Sequence, residues 1–180
     1  MNDIAEELNI LHGLTGVEFV RQLEKITHYG GFSLLKNESN IFVAGGENNE
    51  DFSSLMDAAR KAVEHGNIVY ILPNPRNCRT ADFIFEKRGT YKMYDLKTIH
   101  GKSSVETRLL ASVGQSNRIL LNIATDYNGR LLASDIRCYF EMNKNAVEVL
   151  LYKGKKEISV NRYTALNSMF FKQFRKRYEK

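Results

Sequence analysis

The chain has 180 residues, a net charge of +5, 43% apolar and 26% charged residues. This is the composition of an ordinary soluble domain, long enough to bury a core without a metal or disulfide staple. No run approaches the roughly eighteen uncharged apolar residues of a membrane span, and the acidic start Met1-Asn2-Asp3-Ile4-Ala5-Glu6-Glu7 is unlike a secretory signal. Cys78 and Cys138 lie far apart and outside any Cys-x-x-Cys spacing, which suits reduced thiols in a cytoplasmic chain rather than a disulfide or zinc site.

In chain order, residues 3–29 read as one or two helices, with apolar positions Ile4, Leu8, Leu11 and then Val17, Val20, Leu23, broken at Gly13 and at Gly30-Gly31. Residues 32–35 and 40–44 read as a short hairpin, followed by a polar loop at 45–49. Phe52, Leu55, Met56, Ala59 and Val63 fall at helical spacing, and Gly66 supplies a stop. Residues 67–72 (NIVYIL) form a buried strand, and 74–77 a turn. Residues 82–87 and 91–98 alternate as two strands around Gly89-Thr90. Ser103-x-x-Glu106 reads as a capping box opening a helix with Val105, Leu109, Leu110 and Val113 on its inner side. Residues 118–124 (RILLNIA) form another buried strand. A helix over 131–141, a hairpin of 146–152 with 156–160, and a closing amphipathic helix marked by Tyr163, Leu166, Met169, Phe170, Phe174 and Tyr178 complete the chain. These elements predict one α/β domain: helices and hairpin over 1–49, a core over 50–124, and a helix, hairpin and basic helix over 125–180.

The hairpin carries the chemistry. A two-residue turn with glycine in its first position suits Gly89-Thr90. That register places Asp82 opposite Lys97 and Ile84 opposite Asp95. Side chains alternate along a strand, so Asp82, Ile84, Glu86, Met93, Asp95 and Lys97 share one face, while Phe83, Phe85, Tyr94 and Leu96 share the core face. Directly opposed residues have Cβ atoms about 5 Å apart, so two carboxylates and an ammonium converge. Phosphodiester hydrolysis uses such a patch. Two carboxylates can share Mg²⁺ or Mn²⁺, and a lysine beside them can orient the attacking water and stabilise growing charge.

Over residues 52–124 the chain resembles the PD-(D/E)xK nuclease superfamily. The resemblance rests on Asp82, on Asp95-Leu96-Lys97 thirteen residues later, and on the order helix–strand–strand–strand–helix–strand. It implies a restriction-endonuclease-like α-β-β-β-α-β core, a mixed sheet flanked by helices, with metal on Asp82 and Asp95 and with Lys97 assisting the water. Ala81 stands where the family's nominal proline would be. Members often add an acid from the first core helix, for which Asp57, or after it Glu50, is better placed than Glu64. The arrangement is also similar to C-terminal nuclease domains of contact-dependent inhibition toxins and of phage head-associated proteins. That likeness would supply an immunity or inhibitor protein as a partner beside DNA or RNA.

Two other classes stay open. One is a metal-independent ribonuclease of the barnase–EndoU–colicin–RelE type, with His100 as an acid or base. The other is a nuclease-like fold kept only for binding. Charge divides unevenly, −6 over residues 1–66, +4 over 67–149 and +7 over 150–180, which points to a polyanion partner for the C-terminal part. Lys172, Arg175, Lys176 and Arg177 of the closing helix are the candidate nucleic-acid contacts. An anionic membrane surface, or no ligand at all, would suit the same helix.

Overall fold

The computed structural model describes residues 3–45, 51–75, 80–101, 105–113 and 116–180. These form a mixed α/β protein whose chain divides into two compact units, Met1–Tyr94 and Asp95–Lys180. The expected capping residue Ser103, the candidate Glu50, Cys78 and the second half of the turn at 74–77 lie outside the described residues.

In the first unit, α1 (Ile4–Ile10) is capped by Asp3, whose carboxylate accepts from the Ala5 N–H at 3.3 Å. A 3₁₀ turn (Leu11–Gly13) leads to α2 (Gly16–Thr27). The strands β1 (Phe32–Leu34) and β2 (Ile41–Ala44) form the expected hairpin. Helix α3 (Phe52–Glu64), capped by Asp51, carries the chain over to β3 (Ile68–Ile71), which pairs parallel to β2. Its buried side is Leu55, Met56, Ala58, Ala59 and Ala62, where three alanines let a helix approach a sheet closely. Gly66 ends it at φ +88°, a backbone region open to glycine. Antiparallel β4 (Phe83–Lys87) and then β5 (Thr90–Ile99) follow.

Helices α1 and α2 contribute Ile4, Leu8, Leu23 and Ile26, and the 3₁₀ turn Leu11, to a core that also takes in Ala44, Leu72, Ala81, Ile84 and Met93. Val17 and Val20, expected on the inner side of α2, are exposed instead, because Leu23 and Ile26 set its buried stripe. Phe83, Phe85 and Tyr94 are buried on the opposite strand face, with successive ring centroids 5.4 and 5.0 Å apart. Both faces of this hairpin are therefore covered.

The second unit begins within β5. Helix α4 (Val105–Ala111) leads to β6 (Arg118–Ile123), parallel to β5, and α5 (Gly129–Met142) leads to β7 (Glu148–Lys153), parallel to β6. Antiparallel β8 (Lys156–Asn161) returns through a two-residue turn at Gly154, whose φ is +57°. One continuous core joins Ile99, Ile119, Leu121, Ile123, Val149, Leu151, Ile158 and Val160 to the helices above them. Arg162 donates to the carbonyls of Phe140 (2.7 Å), Asn143 and Ala146 (3.3 Å), satisfying acceptors that α5 leaves open at its end.

Two expectations need correction here. The closing helix is two helices, α6 (Arg162–Leu166) and α7 (Phe170–Tyr178). The Asn167 side chain accepts from the Met169 N–H at 2.8 Å in the turn between them, and Tyr163, Leu166 and Met169 are exposed. Val113 lies past the end of α4 and is exposed. No helix among the described residues is long and apolar enough to cross a membrane.

Candidate functional site

The turn joining β4 to β5 is Arg88-Gly89, not Gly89-Thr90, since Lys87 pairs with Thr90. Both turn residues have positive φ, +52° and +77°, the requirement of a type I′ turn, whose twist matches that of the flanking strands. Arginine adopts that conformation at a cost. The Glu86 carboxylate offsets it by accepting from the Gly89 N–H at 2.7 Å.

The register consequently differs from the expected one by two residues. Ile84 faces Met93, and Glu86 faces Tyr91. A slip of one would have turned every side chain over, whereas a slip of two preserves the faces. The expected partners Asp82–Lys97 and Ile84–Asp95 are not the pairs that form, yet the division of residues between the faces stands.

Asp82 belongs to the first unit, one residue before β4. Its N–H donates to the Tyr94 carbonyl at 3.0 Å and its carbonyl accepts from Leu72 at 2.9 Å, so its backbone is held between two strands. Asp57 also belongs to this unit, on the exposed side of α3, paired with Lys61 at 3.0 Å. Among the described residues no three His, Cys, Asp or Glu side chains gather into a metal-holding group.

Asp95 and Lys97 belong to the second unit, on the C-terminal half of β5. Asp95 is 3% exposed, and its Oδ2 lies 3.1 Å from Lys97 Nζ. Their register partners on β6 are Ile119 and Leu121, both members of the helix-covered core. On α5, burial pushes the Tyr139 hydroxyl above its usual range and the Asp95 charge pushes it further, so it stays protonated. The pair is thus an ionic insertion in an otherwise apolar face. His100, just past β5, is exposed.

The opposite face of the same strands holds a polar row that spacing along the chain does not announce. Thr98 pairs with Asn122, Asn122 with Tyr152, and Tyr152 with Glu157. Asn122 and Tyr152 are fully buried, and burial raises the Tyr152 hydroxyl well above its usual range, as does nearby Glu157.

Of the four basic residues expected on the closing helix, Lys172, Arg175 and Lys176 line a groove of about 640 Å³ together with Phe171, Glu179 and Arg130 of α5. Arg177 is exposed but lies outside that lining. Arg130 is the residue missed by sequence reasoning, because it sits in another element some forty positions earlier. No protein-family model, curated protein or solved structure matches the chain.

Proposed function

We propose that the chain is a divalent-metal-dependent nuclease in which Asp82, Asp95 and Lys97 do the chemistry. The observation that carries this reading is the Asp95–Lys97 pair, an ion pair taken out of water on an apolar strand face. Such a pair adds little stability over hydrophobic residues of similar size, so its chemistry is the better reason for its presence. The element order α3, β3, β4, β5, α4, β6 supports the resemblance, as does the antiparallel, antiparallel, parallel sequence of pairings.

Asp82 and Asp95 offer hard oxygen donors, which suit Mg²⁺ or Mn²⁺, and Mg²⁺ commonly takes only one or two carboxylates from the protein and keeps water on its other positions. When bound, such an ion supplies neutralising charge at the phosphate and acidifies water. Lys97 covers Asp95 Oδ2, so its ammonium competes with a cation for that oxygen. Beside such an ion its ammonium would orient water or meet charge on the phosphate. Asp57 remains a weaker candidate for the same ion.

The test is cleavage of plasmid, single-stranded DNA and tRNA by the purified protein with Mg²⁺, Mn²⁺ or EDTA. DNA cleavage that requires either ion and is lost in Asp82→Ala and Asp95→Ala is the expected result. The exposure of His100 just past the end of β5 favours one second reading. A metal-independent ribonuclease would cut RNA alone, persist in EDTA and die in His100→Ala, because the attacking group is then the 2′-hydroxyl.

A further inference from the structure

We infer that the groove between the start of α5 and the outer side of α7 is a binding track for the phosphate backbone of a single-stranded nucleic acid. Four cations, Arg130, Lys172, Arg175 and Lys176, line it against one carboxylate, Glu179. That carboxylate is engaged with Arg175 at 2.9 Å. Arg130, Lys172 and Lys176 have no ion-pair partner among the described residues. Lys172 and Lys176 stand at i,i+4, a spacing at which like charges repel.

The ordinary explanation of a basic helix end is attraction to the negative end of its dipole. It accounts for Arg175 and Lys176, which lie in the last turn of α7. It fails for Arg130 and Lys172, which lie in the first turns of α5 and α7, where a cation is disfavoured. An anion in the groove would relieve both conflicts.

The occupant follows from shape and from what is already buried. Phe170, Phe174 and Tyr178, the apolar side of α7, are spent on the core, so this helix has no apolar face to insert into a lipid surface. Half-buried Phe171 lines the groove, with Arg137 5.3 Å from its ring centroid. A concave basic track with an aromatic wall suits a single strand, whose bases are free to stack, better than a duplex. The nine residues of α7 extend about 13 Å, enough for a few phosphates.

This inference deepens the nuclease reading and rests on it only for the choice of a phosphodiester strand. The experiment is fluorescence anisotropy, in EDTA so that nothing is cut, with labelled single strands of about 12 nucleotides. A duplex and vesicles containing phosphatidylserine serve as competitors. Single strands should bind best. R130Q, K172Q and K176Q should each weaken them roughly three- to tenfold and flatten the dependence of log K on log salt by about 0.7. K144Q, an exposed charge elsewhere in the unit, should do neither. Binding and its loss in the groove variants, with no nucleic acid ever cut in Mg²⁺ or Mn²⁺, would keep the groove and remove the nuclease reading. Metal-dependent cleavage with groove variants that bind like K144Q would overturn the groove alone, and so would preference for the vesicles or the duplex.

Discussion

The two halves of β5 bury the same strand face in different ways. In the first unit Met93 meets Ile84 and joins the apolar cluster under α1 and α2. Two residues later, in the second unit, that face carries buried Asp95 and then half-buried Lys97 as an ion pair. The apolar half needs no reason beyond the roughly 25 cal/mol gained per Å² of surface removed from water. The ionic half loses hydration on both partners, and the attraction between them does little more than return it. A strand that could have continued apolar and did not is the reason to look for chemistry at Asp95.

The largest effect expected from this contrast comes from breaking the pair on one side only. Lys97→Met takes the ammonium away from a buried carboxylate and should cost about 3 kcal/mol in urea unfolding. Replacing both partners, as Asp95→Leu with Lys97→Met, should return stability to within about 1 kcal/mol of the parent while leaving no nuclease activity. A neutral single variant would mean that the pair is well solvated, and the contrast would collapse. A double variant that still cuts would remove the pair from the mechanism.

Next in size is the apolar half. Met93→Ala removes a buried side chain that meets Ile84 and should cost about 2–3 kcal/mol. Activity per folded molecule should hardly change, because Met93 has no part in the chemistry. Equal losses of stability and of specific activity would show that the first half of β5 is not merely core.

Much of this arrangement was legible in the residues. Alternation in 82–87 and 91–98 gave the strands and their faces. Ile84 and Met93, apolar residues among the acids of that face, do lie in a covered core. Gly89 announced a two-residue turn but not its position, since glycine suits either central place. The deciding features, Arg88 at positive φ and Glu86 bonded to the Gly89 N–H, are a local exception and its compensation, which propensity alone does not supply. The closing helix ran on in its aromatic periodicity, and only Asn161, which caps α6, and Asn167, whose side chain holds the turn before α7, marked the interruption. Arg130 was illegible for another reason: its neighbourhood with Lys172 is a product of helix packing and not of spacing in the chain.

The smallest effect concerns a second buried acid, which sharpens what is special about Asp95. Asp135 on α5 has a tyrosine instead of a lysine: the Tyr127 hydroxyl donates to its Oδ2 at 3.0 Å, and the same hydroxyl accepts from the Val105 N–H at 3.3 Å. Burial raises the Asp135 carboxyl above its ordinary value, and the hydrogen bond from Tyr127 only partly opposes this. An acid raised on folding releases its proton more readily when unfolded. Stability from this group is therefore greatest below the unfolded value, near 3.9, and falls as pH climbs through the folded one. Asp135→Asn keeps an oxygen for Tyr127 and removes the ionisation. The variant should match the parent near pH 3.5 and become the more stable of the two, by under about 1 kcal/mol, as pH rises to neutrality. Urea midpoints of both proteins across that range would measure it. A parent that gained on the variant as pH rose would mean that the Asp135 carboxylate is stabilised in the fold, as a salt-bridged acid is, and that the distinction drawn between the two buried acids is wrong.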